Sequence, residues 1–175
     1  MKICGNSISL HPLNTDNREE YLKVFRRAST FSELYAASED LWITMSEPMG
    51  TDNDTTVRYI IYAKDVVCGF INYDMEDDIP NIDIAIASGY RNNGYGYGAA
   101  KLLCEHLLSQ TGIDSVCWYA MPHNKASIRI AEKFGGVQIE GRNILAEAMS
   151  NAFGKSENVY ADLPETKAYA IRKYT

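Results

Sequence analysis

Arg91-Asn92-Asn93-Gly94-Tyr95-Gly96-Tyr97-Gly98-Ala99 is the stretch on which the reading of the fold turns. Just before it, Ile82, Ile84 and Ile86 alternate with Asn81, Asp83 and Ala85, the period of a strand with one apolar face. Just after it, Ala99, Leu102, Leu103, His106 and Leu107 fall at i, i+3, i+4, i+7 and i+8, one face of a helix. A glycine-rich loop between a strand and a helix lets backbone N–H groups point into one concavity, with the positive helix N-terminus behind it. Such a concavity attracts phosphate. A plain strand-to-helix turn would use glycine only to relieve steric strain, and three alternate glycines exceed that need.

Outward from this loop the pattern is mixed. Val57–Ala63 and Val66–Tyr73 are β-branched and aromatic, joined by Lys64-Asp65, and predict a hairpin. Ile8–Leu10 predicts a first strand. Asp16 is placed to cap a helix carrying Tyr21, Leu22, Phe25 and Ala28, and a second helix is expected through Leu34, Leu41, Trp42 and Met45. Val116–Ala120 and Val137–Glu140 read as strands around a helix capped by Asn124 and ended by Gly135-Gly136. Ile144–Ala152 suits a short helix, and Ala168–Ile171 a last strand. The order predicts an α/β fold around one central sheet, in a single domain over residues 1–175.

The 175 residues are 46% hydrophobic and 23% charged, as in a globular chain, with a formal net charge of −6. An acidic chain without a basic run is a poor match to a phosphate backbone, so nucleic acid is not an expected partner. No apolar run reaches the ~20 residues of a membrane helix, and Met1–Asn6 lacks a signal-peptide core, so the expected location is cytoplasmic. The acidic run Asp74-Met75-Glu76-Asp77-Asp78 reads first as a solvated turn between strands and second as an attractor of an amine. Cys4, Cys68, Cys104 and Cys117 form no CxxC pair and the His residues are scattered, so no metal site is expected. The sequence leaves the oligomeric state open, with a dimer among the readings.

Arg91-Asn92-Asn93-Gly94-Tyr95-Gly96 fits Q/R-x-x-G-x-G/A and resembles the acetyl-CoA pyrophosphate motif of the GNAT superfamily of N-acetyltransferases. Asn124-Lys125-Ala126-Ser127, followed by a helix and Lys133-Phe134-Gly135, resembles that family's fourth-helix motif. The variant with Ser127 is most similar to the branch that acetylates N-terminal amines of ribosomal proteins. The resemblance implies a GNAT-like mixed central sheet flanked by helices, with acetyl-CoA as acyl donor. The acceptor it implies is an amine on a small molecule or a peptide N-terminus. It implies donor contacts from Arg91, Asn92, Asn93, Gly94, Tyr95, Gly96 and Asn124. It also implies a backbone role for Ile84, Ala85 and Ile86, on a strand edge that pairs with pantetheine. Three departures stand out: Ala131 occupies the place of the tyrosine acid of many members, Gly135-Gly136 stands where the family has Gly-Phe, and Arg142–Leu163 does not follow the usual strand-turn-strand ending.

Acetyl transfer to an amine needs a base, because a free alkyl ammonium has a pKa of about 10. Asp83, on the polar face of its strand, is the candidate; Glu140 and Glu147 are weaker ones. The leaving thiolate needs a donor. Ser127 stands in the first helical turn, where the dipole also favours an anion. Each has a plainer reading, Asp83 as a surface carboxylate and Ser127 as a hydroxyl bonded back to its own cap. Trp42, Tyr73, Tyr90, Trp118 and Tyr119 read first as aromatics of the core and second as the lining of an acceptor pocket. Two other functions remain open at this point. One is a CoA-holding module without turnover, favoured by the missing tyrosine. The other is a nicotinamide-dependent enzyme, favoured by Gly94, Gly96 and Ala99 as G-x-G-x-x-G/A.

Overall fold

In the computed structural model, residues 1–28, 56–76, 78–143, 146–147, 150, 156 and 165–172 are described. The helix expected through Leu34–Met45 lies outside them, as does most of the one expected at Ile144–Ala152. Eight strands make one sheet: β1 Ile3–Cys4, β2 Ile8–Pro12, β3 Thr56–Ala63, β4 Val66–Glu76, β5 Ile79–Ile86, β6 Ser115–Ala120, β7 Val137–Ile139 and β8 Lys167–Arg172. Their spatial order is β1-β2-β3-β4-β5-β6-β8-β7. Among the described residues three helices pack on it: α1 Arg18–Ala28, α2 Tyr95–Leu108 and α3 Lys125–Lys133.

The helices divide between the two faces, as the pleat of the strands dictates. On one face Ile82, Val116, Trp118 and Ala120 meet Ala99 and Leu103 of α2 and Ile128, Ala131 and Phe134 of α3. On the other, Tyr21, Leu22 and Val24 of α1 meet Ile60 and Phe70. Tyr97 stacks on Phe134 at 4.9 Å between centroids, which ties the start of α2 to the end of α3. The N-terminus of α1 is held by Asn14 and Asn17 rather than by the expected Asp16. Asn14 Oδ1 accepts from the N–H groups of Asp16 and Asn17, and Asn17 Oδ1 accepts from Asn14 N–H. Asp16 loses the role because helix 1 begins two residues later, at Arg18.

The β3–β4 hairpin turns at Lys64-Asp65, both at positive φ (49° and 67°), the backbone of a type I′ turn. Its register then slips. Tyr62 opposes Val67 but Ile61 opposes Gly69, so Cys68 is an extra residue in β4. This bulge adds local twist opposite the end of β5. There the chains come very close: a Cβ on Gly69 would lie 2.4 Å from the Ala85 carbonyl oxygen. Gly69→Ala is therefore expected to destabilise the fold by about 1–3 kcal/mol. Gly89→Ala, which meets nothing within 4 Å, should change stability by less than about 0.5 kcal/mol. Paired urea titrations check this; equal stabilities would mean that β4 and β5 separate at no cost.

Candidate active site

The site begins where two strands part. β5 and β6 are the parallel pair of the sheet, and they are in register only at Asn81–Cys117 and Ile82–Trp118. On its other side β5 stays paired with β4 along its whole length, from Glu76–Ile79 to Gly69–Ile86. Beyond Ile82, then, β5 has one satisfied edge and one open edge. The direction of each peptide follows from the alternation of a ladder. Ala87 N–H donates to Cys68 O at 2.9 Å, so Asp83 and Ala85 also turn their backbone groups to β4. Ile84 and Ile86 turn theirs to the opening. Of the expected backbone trio, Ala85 is thus aimed at the wrong strand, because side chains and peptides alike alternate along an extended chain.

The glycine loop closes the far end of this opening. Gly94 is the N-cap of α2 at φ 76°, with no side-chain cap, and nothing lies within 4 Å of where its Cβ would be. Asn92 also has positive φ (65°), a conformation Asn tolerates. Asn93 Nδ2 donates to the Tyr90 and Arg91 carbonyls, at 3.2 and 3.1 Å. Arg91 Nε donates to the Ile86 carbonyl at 2.9 Å, which ties the loop to the open edge of β5. Gly96 does not face open space: a Cβ there would make ordinary contact with Ile86 and Ile130, at 3.4 and 3.7 Å. The N–H groups of the first turn of α2, from Tyr95 on, lie just past the opening with the helix dipole behind them.

α3 brings the second motif to the fork. Asn124 Oδ1 accepts from Ser127 N–H at 3.1 Å, the cap the sequence predicted. The Ser127 hydroxyl accepts from Trp118 Nε1 at 2.9 Å. The plainer expectation of a hydroxyl bonded to its own cap gives way to a bond across to β6, at the last residue β6 shares with β5.

Asp83 lies on the opposite, α1-facing side. Arg58, Asn72 and Asp83 stand in register across β3, β4 and β5, and Tyr21 of α1 donates its hydroxyl to Asn72 Oδ1 at 3.1 Å. Solvent reaches the Asp83 side chain, yet protein surrounds it closely enough to raise its carboxyl from 3.8 to about 6. Desolvation is the main cause, the charge of Asp74 adds to it, and the Ile84 N–H opposes it. Burial likewise raises the Tyr21 phenol. Two residues back along the same face of β5, a cavity of about 170 Å³ is lined by Ile79, Asn81, Cys117, Tyr119, Ile139 and Arg142. Arg142 is held there by Glu147 through bonds of 3.1 and 2.6 Å, so Glu147 is engaged in an ion pair. Glu140 is exposed at the end of β7.

Comparison with known proteins identifies this arrangement. Residues 8–137 match the family described as the acetyltransferase (GNAT) domain. The chain belongs to the GNAT acetyltransferases. It is an N-acyltransferase whose acyl donor is acetyl-CoA. No curated protein is significantly similar in sequence. Among solved structures, the acetyltransferase that modifies the N-terminal serine of 50S ribosomal protein L7/L12 from Salmonella typhimurium superposes with a TM-score of 0.70. It covers 99% of this chain and 100% of its own at 11% identity. The microcin C7 self-immunity acetyltransferase in complex with acetyl-CoA and AMP gives a TM-score of 0.69, covering 97% and 94% at 12% identity. A spermidine N-acetyltransferase chimera from Vibrio cholerae gives a TM-score of 0.66, covering 95% and 96% at 10% identity. The nicotinamide reading fails on the family and on the sheet: a doubly wound fold needs successive parallel strands, and among the described residues β5 and β6 alone run parallel. The residues around the fork fit the GNAT donor: an open strand edge, then a loop with room over Gly94, then an uncapped helix start.

The sequence alone did not single out Arg58, Asn72 or Tyr21. Polar residues inside apolar strand runs were the available signal. Counting registry from the turn, however, sets Arg58 opposite Ile71; the Cys68 bulge moves it to Asn72.

Two predictions follow from this geometry. Asn tolerates the φ of Gly94 and a β-branched residue does not. Gly94→Val should weaken CoA binding at least tenfold by calorimetry while Gly94→Asn weakens it less than about threefold, both folded by circular dichroism. Equal affinities would remove the loop from the donor site. For Asp83, the folded carboxyl is raised from 3.8 to about 6. Between those values the folded chain holds a proton the unfolded chain has lost, so stability falls as pH climbs from about 4 to about 6. Asp83→Asn should therefore melt higher than wild type above pH 6, with the gap closing below pH 4. A lower melting point at pH 8 would show that the carboxylate stabilises the fold.

Proposed function

We propose that this GNAT enzyme acetylates a primary amine, on a small molecule or a peptide N-terminus, by direct attack of the amine on the acetyl-CoA thioester. We place this activity in the cytosol and in one domain spanning residues 1–175. The observation that carries the reading is the position of Asp83. It stands where the open edge of β5 begins, on the face opposite the glycine loop and Ser127, with a carboxyl at about 6. A donor lying along the α2/α3 face and an acceptor entering from the α1 face meet at the fork between β5 and β6. The amine-directed names of the structural neighbours, one acting on a protein N-terminus and one on spermidine, support this acceptor class.

Acetyl-CoA supplies an acetyl group already activated as a thioester. The chain's own residues do the rest. The Ile84 and Ile86 peptides hold the donor's amide arm in extended pairing and keep an N–H near the carbonyl oxygen that gains charge. The first-turn N–H groups of α2, with Asn92 to Gly96, take the pyrophosphate, and the Asn124 region flanks the same arm. Asp83, ionised above about pH 6, takes a proton from the ammonium group and frees its electron pair. As the N–C bond forms, the C–S bond breaks with its pair left on sulfur. Ser127 passes its proton to that sulfur, and the second proton, released by the new amide nitrogen to solvent, restores the Ser127 hydroxyl. The missing tyrosine at Ala131 is thereby answered by a hydroxyl four residues earlier, one helical turn away. This observation favours turnover over a CoA-holding module.

The test is a pH–rate profile with a panel of primary amines, read by thiol release. Wild-type kcat/KM should rise through an apparent pKa near 6, and Asp83→Asn should lose about 10²–10⁴-fold at neutral pH. The loss should shrink as pH nears the amine's own pKa. A loss equal at every pH would place the base elsewhere and leave Asp83 as a positioning group.

A further inference from the structure

A hydroxyl has one proton to donate and two lone pairs to accept with, whereas an indole N–H only donates. The bond between Trp118 Nε1 and Ser127 Oγ, at 2.9 Å, can therefore run in one direction only. Trp118 gives and Ser127 receives, so the Ser127 proton is turned away from the indole. The Ser127 backbone is pinned as well, since its N–H is held by Asn124 Oδ1 at 3.1 Å. Trp118 cannot swing aside: it is 1% exposed, lies in register with Ile82 and Tyr169 in the middle of the sheet, and belongs to the main core. We propose that Trp118 is a positioning residue of the acyl transfer. Its indole N–H occupies a lone pair of Ser127 and so commits the Ser127 proton to the sulfur released at the β5–β6 fork.

The proposal rests on the reading of Ser127 as the donor to sulfur and adds what makes that donor directional. A free serine hydroxyl rotates among several partners and spends part of its time with its proton elsewhere. One that already accepts from a fixed N–H has fewer orientations left. It is also polarised into a stronger donor, since hydrogen bonds in a chain reinforce one another. The placement is specific to the last paired residue of β6. At Trp118 the strand is still held by β5 and rigid, and immediately beyond it β5 and β6 no longer pair.

The bound thiol gives a readout that packing alone does not move. A donor aimed at sulfur stabilises the thiolate and lowers the thiol pKa of bound CoA below that of free CoA. This is measured by thiolate ultraviolet absorbance in the binary complex, with no acceptor present. Wild type should show the lowered value and Ser127→Ala should return it to that of free CoA. Trp118→Phe, which keeps an apolar ring and removes the N–H, should recover a substantial part of the difference. The double variant should match Ser127→Ala, because without the hydroxyl the indole has nothing to orient. In turnover, Trp118→Phe should lower kcat roughly three- to tenfold with little change in the KM for acetyl-CoA. A CoA pKa unchanged by Trp118→Phe but raised by Ser127→Ala would overturn the proposal and leave Ser127 in place. A pKa unchanged by Ser127→Ala would overturn the reading beneath it. If Trp118→Phe does not fold, benzothienylalanine incorporated in a Trp42→Phe background keeps the indole shape without the N–H, and the same pair of outcomes decides.

Discussion

Everything in the site depends on the short pairing between β5 and β6. Two residues of register, Asn81–Cys117 and Ile82–Trp118, hold the strands together, and past them they part. A strand edge buried without partners is costly, because each unpaired N–H or C=O forfeits a hydrogen bond. Here the open edge of β5 is backed on its other side by the full β4 ladder and is closed at its end by Arg91, which takes the Ile86 carbonyl. With the Ile84 N–H turned to the Asp83 carboxyl, the Ile84 carbonyl and the Ile86 N–H are the groups an extended amide ligand can satisfy. In the proposed reading this stretch of backbone is what pairs with the cosubstrate.

The fork also separates two chemistries by face. Ser127, Trp118 and the start of α2 stand on the α2/α3 side, where helix termini favour negative charge. Asp83, Asn72, Arg58 and Tyr21 stand on the α1 side, where the surrounding protein partly desolvates the solvent-reached Asp83 carboxyl and raises it towards neutral pH. A base needs a pKa near the working pH, and a leaving-group donor needs the opposite environment. The sheet between them lets each be set independently. If Asp83 is the base, as proposed, the same desolvation that suits it to take a proton costs the fold stability above its pKa.

The cysteines show how little of a thiol's character is visible in its spacing. Cys68 and Cys104 are buried, and desolvation pushes their thiols up to about 11 and about 12. Neither is a nucleophile at neutral pH. Cys68 matters instead as the extra residue of β4, whose bulge moves Arg58 into line with Asn72 and Asp83. A slip of one residue exchanges the two faces of a strand, so without that bulge Arg58 would not share a face with Asp83.

What the sequence determined by itself is what local chemistry decides. Alternating isoleucines specified β5, and the glycine run with the apolar stripe after it specified the loop and α2. Lys64-Asp65 specified the hairpin, and Asn124 the start of α3, because strand alternation, helix periodicity, turn propensity and capping each act within a few residues. The family motif was legible for the same reason. Tertiary structure decided what lies between distant segments. It set the length of the β5–β6 pairing and so opened the edge, and it turned Ile84 and Ile86, but not Ala85, towards it. It shifted the β3–β4 register through a bulge, and it brought the Trp118 indole onto the Ser127 hydroxyl across nine positions of chain. None of these has a sequence signature, since each is settled by how whole strands twist and pack against helices on both faces.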